Sequence, residues 1–290
     1  MCRLFGLSGG EQPVKATFWL LEAPDSLGRQ SRREPDGTGV GTFDADGEPV
    51  VAKQALAAYE DHAFGEEARE LSSRTFVAHV RYASNGGLTE ANTHPFCQDG
   101  RLFAHNGVIG DLPALEAELG DAMRHVHGDT DSERFFALIT REIERANGDV
   151  GAGIAGAARW VAGNLPVLSI NCIVTTADGL WALRYPDTHE LHVLERGPGG
   201  PGGHRHLEHA SARGSIRVRS GDLSTKPAVA IATEPMDEDS GWRMLGSGEL
   251  LHVGPDLKLD RVRVIDGPPR HPLSLEDLDP RAQASQRAAS

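Results

Sequence analysis

A cysteine stands at position 2 of this 290-residue chain, directly after the initiator methionine. Methionine aminopeptidases remove Met1 before a small side chain, and the mature chain would then begin with Cys2. That residue would carry a thiol together with a free α-amine, whose ordinary pKa of about 7.7–8.0 lets it serve as a base. These two groups favour nucleophilic acyl transfer. An incidental cysteine in a disordered terminus is the alternative interpretation.

Two charged residues could bind a substrate of complementary charge. Arg81 ends a strand-like segment beside a polar loop, where its planar guanidinium could take a carboxylate. Asp131 stands in the first turn of a predicted helix, where a carboxylate is favoured and could hold an ammonium group. A surface salt bridge is the alternative for Arg81.

The pair Asn106-Gly107 could stabilise a developing oxyanion with a side-chain amide and a backbone N–H. A type I′ turn is the alternative, although apolar residues flank the pair closely on both sides. His79, His94 and His105 are too many for one general base, so each is expected to be structural.

The local pattern predicts the elements that position these residues. Period-2 alternation over 75–82 predicts a strand with His79 and Arg81 on one face. Residues 101–109 predict a second strand, broken at Asn106-Gly107. Thr130 followed by Glu133 is a capping-box sequence, which predicts a helix over 130–147.

The remaining segments alternate between helical and strand patterns. Helices are predicted at 14–21, 112–126 and 151–162, and hairpins at 40–53, 168–185 and 249–264. This order predicts an α/β (α+β) protein with layered packing and mostly antiparallel sheets. No composition break forces a second domain, so we expect one domain over 2–267 and a flexible segment over 268–290.

Composition excludes several classes of function. The net charge of −13 argues against non-specific binding to nucleic acid or to anionic membranes, since both need a basic surface. The three cysteines form no CxxC pair, and their odd number argues against a disulfide framework. With no signal peptide and no apolar run of 18 residues, we expect a cytoplasmic protein. The histidines in the glycine-rich loop 197–214 lack the spacing of a metal site, so no metal is expected.

Taken in order, the motifs resemble the class II glutamine amidotransferases, the glutaminase branch of the N-terminal nucleophile (Ntn) hydrolases. The matching strings are MCRLFGLSG at 1–9, EPDGTGVG at 34–41, AHVRYAS at 78–84, NTHPF at 92–96, FAHNGVI at 103–109 and GDTDSE at 128–133. Arg81, Asn106 and Asp131 follow one another at intervals of 25 residues. The resemblance covers roughly residues 2–265 and implies a four-layer αββα sandwich.

The resemblance also implies roles for these residues. Cys2 would attack the γ-carboxamide of glutamine, and Asn106 with Gly107 would stabilise the oxyanion. Arg81 would bind the substrate α-carboxylate and Asp131 its α-ammonium group. Tyr82 and His94 are expected to be further substrate-binding residues, with Tyr82 standing where some family members have Trp. No cofactor is implied.

The short remainder after residue 265 leaves no room for a synthase domain, so we expect a stand-alone glutaminase-type domain. It resembles the small bacterial amidotransferase-like proteins and the γ-glutamyl amidohydrolases of ergothioneine biosynthesis and glutathione degradation. Either a separate synthase subunit receives the ammonia, or a γ-glutamyl compound is simply hydrolysed. The alternatives are an Ntn acylase for another amide and a catalytically idle domain that binds γ-glutamyl ligands or a partner protein.

Overall fold

A computed structural model describes residues 2–60, 62–83, 86–198, 208–210, 217–219 and 225–286. For 208–210 and 217–219 it describes the backbone alone. The side chains of the three histidines in the predicted loop 197–214 therefore lie outside the described residues.

Strands and helices alternate along the chain. The strands are β1 (Arg3–Ser8), β2 (Val14–Lys15), β3 (Gly37–Phe43), β4 (Pro49–Gln54), β5 (Ser72–Ser73), β6 (Thr75–Arg81), β7 (Phe96–Gln98), β8 (Arg101–Ile109), β9 (Pro166–Thr175), β10 (Leu180–Arg184), β11 (His192–Arg196), β12 (Glu208–Ala210), β13 (Arg217–Arg219), β14 (Ala228–Ala232), β15 (Arg243–Met244), β16 (Glu249–Val253), β17 (Leu259–Arg263) and β18 (His271–Pro272). The α-helices are α1 (Leu27–Gln30), α2 (His62–Glu70), α3 (Leu112–Leu119), α4 (Asp131–Arg145), α5 (Val150–Asn164) and α6 (Pro280–Gln286).

Two seven-stranded sheets form the centre of the molecule. The first sheet has the order β15-β11-β14-β1-β6-β3-β4. The second has the order β17-β16-β10-β9-β8-β7, with β18 added beside β9 in the one parallel pairing that the described strands make. The predicted preference for antiparallel pairing is confirmed.

Three buried apolar clusters separate four layers. One cluster, which includes Leu4, Val77 and Leu102, lies between the two sheets. A second packs the first sheet against the helical turn Phe18–Glu22 and its neighbours, and a third packs the second sheet against α4 and α5. Helices therefore cover the outer face of each sheet, which confirms the predicted αββα sandwich.

Side-chain alternation determines which residues near Cys2 and Arg81, at the ends of β1 and β6, face the second sheet. Leu4 pairs with His79, and Leu4 belongs to the cluster between the sheets. Paired residues on antiparallel strands point to the same face, so His79 also faces the second sheet. Period 2 carries Arg81 to this face as predicted. Arg3 pairs with Val80, and one further residue in this register places Cys2 opposite Arg81.

Three local predictions were wrong, and two of them concern segments that pair as strands; the third, the helix over 112–126, ends at Leu119. Segment 14–21 is not one helix: Val14 pairs with Ser73 in β5, and a π-helical turn follows at Phe18–Glu22. Strand β8 is not broken at Asn106-Gly107, because Asn106 pairs with Asn171 within a continuous ladder. In both places, pairing with distant residues decided the local structure.

The segment after residue 267 packs on the domain as far as it is described. The Leu273 amide donates to the Val167 carbonyl at 2.8 Å, and α6 buries Ser285 and Gln286. Its predicted flexibility and the domain boundary near 267 stay predictions. Within the described part of the chain, no helix has the length and apolar character needed to cross a membrane.

Candidate active site

Cys2 lies at the start of the first sheet with its side chain 9% exposed. Its Sγ is 3.3 Å from the Tyr82 carbonyl oxygen, to which the thiol donates, and it accepts from the Tyr82 amide at 3.2 Å. Burial raises the pKa of the Cys2 thiol above its ordinary value, while the Tyr82 backbone contact and the Arg81 charge oppose that shift. The thiol is therefore protonated at neutral pH and needs a base before it can attack.

Arg81 lies at the end of β6, on the face that Cys2 shares. Its side chain is buried, and its Nη1 donates to the Gly87 carbonyl at 3.0 Å. Burial lowers the pKa of the guanidinium, and Cys2, Asp36 and Asp131 oppose this shift. Arginine still keeps its charge under all ordinary conditions, so Arg81 is a buried cation at the pocket.

Asn106 lies on β8, on the face that carries Leu102 and Ala104 into the space between the sheets. The residue is 1% exposed, yet neither Oδ1 nor Nδ2 has a hydrogen-bond partner in the described part of the chain. A buried amide without a partner costs about 1–3 kcal/mol. Such a cost is typical of a group kept for a ligand or a reaction intermediate.

Gly107 is fixed by a close backbone approach. Its φ is +158°, and a Cβ atom at this position would overlap the carbonyl oxygen of Ser169 on the neighbouring strand. Glycine is therefore required there, although the strand continues.

Asp131 begins α4, where Thr130 caps the helix by accepting from the Glu133 amide at 3.3 Å. The Asp131 carboxylate is buried, and its two oxygens accept from the amides of Ile109 at 2.8 Å and Ser132 at 2.9 Å. The first of these bonds ties α4 to the end of β8. The carboxylate is therefore a buried acceptor that lines the pocket.

Tyr82 and His94 both line the pocket. Tyr82 contacts the Cys2 thiol through its backbone. His94 is buried against His79, with 4.2 Å between the ring centroids, and burial lowers its pKa well below the ordinary value. Both histidines are therefore neutral at pH 7.

One small pocket of about 20 Å³ joins these elements. It is lined by Cys2, Arg81, Tyr82, His94, His105, Gly107, Thr130, Asp131 and Ser132. Asn106 stands beside it but is not among the lining residues. Sequence reasoning missed Ser132, which contacts His105. The string Asp131-Ser132 at a helix start was the one available signal.

A separate cluster of possible metal ligands lies away from this pocket. Ligand atoms of Asp99, His125 and Glu144 lie within 4.8 Å of one another, and the two carboxylates are exposed. Arg101 and Arg124 already pair with them at 3.3 and 3.4 Å. These two guanidinium groups would compete with a cation, so the cluster supports no metal site.

Comparison with known proteins identifies the family. The profile of the class-II glutamine amidotransferases matches residues 1–259. A probable glutamine amidotransferase of Saccharomyces cerevisiae, DUG3, is 30% identical over 170 residues, which are 51% of this chain and 47% of that protein. The chain thus spans about half the length of this relative. It belongs to the class II glutamine amidotransferase family.

Solved structures share the fold. Glutamine phosphoribosylpyrophosphate amidotransferase from B. subtilis superposes with a TM-score of 0.63 at 18% identity, covering 92% of this chain and 50% of that one. A structure described as a predicted glutamine amidotransferase from Pseudomonas aeruginosa gives 0.60 at 21% identity, covering 89% of this chain and 99% of that one. The second spans almost the same domain.

Proposed function

We propose that this protein cleaves the γ-amide of glutamine or of a γ-glutamyl compound, with the Cys2 thiol as nucleophile. The observation that carries the proposal is that one pocket joins Cys2, Arg81, Gly107 and Asp131, which come from four parts of the chain. A nucleophile, a cation and an anion in one pocket match an amino-acid acyl donor.

The reaction takes place in two steps. After Met1 is removed, the α-amine of Cys2 accepts the thiol proton, and Sγ attacks the γ-carbonyl carbon to form a tetrahedral oxyanion. The Asn106 amide and the Gly107 N–H stabilise that oxyanion. The C–N bond then breaks, and the amine leaves with the proton. Water hydrolyses the thioester, which releases a γ-carboxylate and restores the thiol.

Arg81 and Asp131 orient the substrate by its amino-acid end. The guanidinium takes the α-carboxylate and the Asp131 carboxylate takes the α-ammonium group. A pocket of about 20 Å³ holds about one water molecule, so glutamine enters only after side chains move. An incoming carboxylate would compete with the Gly87 carbonyl, to which Arg81 Nη1 donates at 3.0 Å.

The leaving amine has two possible fates. A separate synthase subunit could receive ammonia, or the protein could hydrolyse a γ-glutamyl compound without a partner. The share of each relative's length that this chain covers favours neither fate.

The odd number of cysteines agrees with a reducing compartment such as the cytoplasm.

Intact-mass spectrometry with a diazo-ketone analogue of glutamine tests the proposal. We expect loss of Met1 and a single adduct, which peptide mapping places on Cys2. Cys97 provides the matched control because it is an exposed cysteine outside the pocket. Cys97→Ala should still take one label, and Cys2→Ala should take none. An adduct on Cys97 alone, or retention of Met1, would contradict the mechanism.

A further inference from the structure

Ser132 follows Asp131 at the start of α4 and lines the same pocket. Its Oγ is 2.8 Å from Nδ1 of His105, and the two residues are 6% and 2% exposed. This contact is buried, and it stands beside the carboxylate that the proposed function assigns to the substrate ammonium group.

The surroundings of His105 determine which atom donates in this contact. Its Nε2 lies 3.3 Å from the carbonyl oxygen of Ser169, which can only accept, so Nε2 carries the ring hydrogen. Burial lowers the pKa of His105, against the charge of Asp131 and the Ser169 contact, so the ring is neutral. Nδ1 is therefore a bare acceptor, and the Ser132 hydroxyl donates its single hydrogen to it.

A hydroxyl whose hydrogen is already donated offers only lone pairs to a ligand. Among the described residues, His105 is the one hydrogen-bond partner of Ser132 Oγ. The adjacent Asp131 carboxylate is likewise an acceptor, and it lines the same pocket. This corner of the pocket therefore presents acceptors from two neighbouring side chains.

We propose that Ser132 Oγ, oriented by His105, is a second acceptor for the α-ammonium group of the substrate. An ammonium group has three N–H donors, so it can bond to Asp131 and Ser132 together. Ser132 is then a specificity residue that favours acyl donors with a free α-amine, and His105 is its positioning residue. This inference rests on the proposed function.

Binding to the full-length Cys2→Ala protein tests the inference without turnover. Calorimetry would compare L-glutamine with glutaramate, which has the same amide and carboxylate but no ammonium group. Adding Ser132→Ala should weaken glutamine binding about tenfold, or about 1.4 kcal/mol. Glutaramate binding should change less than twofold. Ser132→Thr keeps the hydroxyl and should retain glutamine affinity within about threefold.

Three results would overturn the role of Ser132: unchanged glutamine affinity in Ser132→Ala, an equal loss for glutaramate, or no rescue by Thr. If glutaramate does not bind at all, the role of Ser132 is tested by the glutamine affinity of Ser132→Ala and of Ser132→Thr. Ser72→Ala, at an exposed serine of β5, is the control. No glutamine binding by Cys2→Ala would remove the ammonium subsite itself, whereas binding without turnover by the wild type would contradict only the proposed hydrolysis.

Discussion

The Cys2 thiol lies between the two backbone polar groups of Tyr82, 3.2 Å from the amide nitrogen and 3.3 Å from the carbonyl oxygen. The carbonyl accepts the thiol proton in the resting state. Once that proton leaves, the amide N–H still donates to the sulfur and the carbonyl no longer has a partner there. The two Tyr82 backbone groups thus orient the sulfur, but together they favour the thiol over the thiolate. An added base is therefore needed.

Cys2→Ala should abolish turnover, with a loss of at least about 10³-fold, because the nucleophilic sulfur is removed. The buried side chain is small, so the free energy of unfolding should change by about 1 kcal/mol. Steady-state kinetics and urea denaturation measure the two quantities. Cys97→Ala is the control and should retain full turnover. Normal hydrolysis by Cys2→Ala would exclude Cys2 as the nucleophile.

Asn106→Ala should lower kcat by about 10²–10³-fold while KM changes little, because the amide acts on the oxyanion. Its buried amide has no described partner, so its removal should not lower the free energy of unfolding by more than about 1 kcal/mol. Asn164→Ala, at the exposed end of α5, should change neither quantity. A parallel loss of stability and activity would instead assign Asn106 a structural role.

Asp131→Asn should raise KM for glutamine at least about tenfold, since the charge that holds the ammonium group is lost. The amide oxygen can still accept from the Ile109 N–H, so the helix stays attached to β8. Asp131→Ala also removes that bond and should lower stability by about 1–3 kcal/mol. Kinetics and thermal unfolding separate the two effects. Asp121→Asn is an exposed control, and an unaltered KM in Asp131→Asn would remove Asp131 from the substrate site.

Gly107→Ala should destabilise the fold by at least about 2 kcal/mol, because its Cβ would overlap the Ser169 carbonyl oxygen. The matched change is Gly163→Ala in α5, where a Cβ has no neighbour within 4 Å. That variant should be neutral or more stable by up to about 1 kcal/mol. Denaturant midpoints measure both. Equal stability of the two variants would show that β8 and β9 are further apart than described.

Stability should fall as the pH drops from 7 to 5. His79 is fully buried, and this burial together with the nearby Arg81 charge lowers its pKa to about 3. The unfolded chain, with an ordinary histidine pKa of about 6.5, binds the proton first, so the stabilisation present above that pH is lost below it. His79 alone should contribute about 2 kcal/mol of this loss.

Denaturation curves at pH 7 and pH 5 measure the effect. His79→Gln should show a smaller pH-dependent loss than the wild type, because the titrating ring is gone. His189, whose pKa burial lowers to about 4, will maintain part of the slope. A slope in His79→Gln equal to that of the wild type would contradict the assignment.

Local sequence signals predicted one helix start correctly and two helices wrongly. The capping sequence Thr130 to Glu133 correctly predicted the start of α4. The predicted helix 112–126, however, divides at Gly120, whose φ is +53°, into α3 and a 3-10 turn over Gly120–His125. The helix predicted over 14–21 was wrong because Val14 pairs in a strand with Ser73, which lies far along the chain.

The sequence by itself determined the family, the layered fold and the candidate residues Cys2, Arg81, Asn106 and Asp131. These follow from ordered motifs and from side-chain alternation, both of which are local along the chain. Only the tertiary structure decided that one pocket joins Cys2 to Asp131, that the Asn106 amide has no described partner, and that Ser132 Oγ contacts His105 Nδ1. These relationships depend on the packing of two sheets and a helix, and no spacing within one segment encodes them.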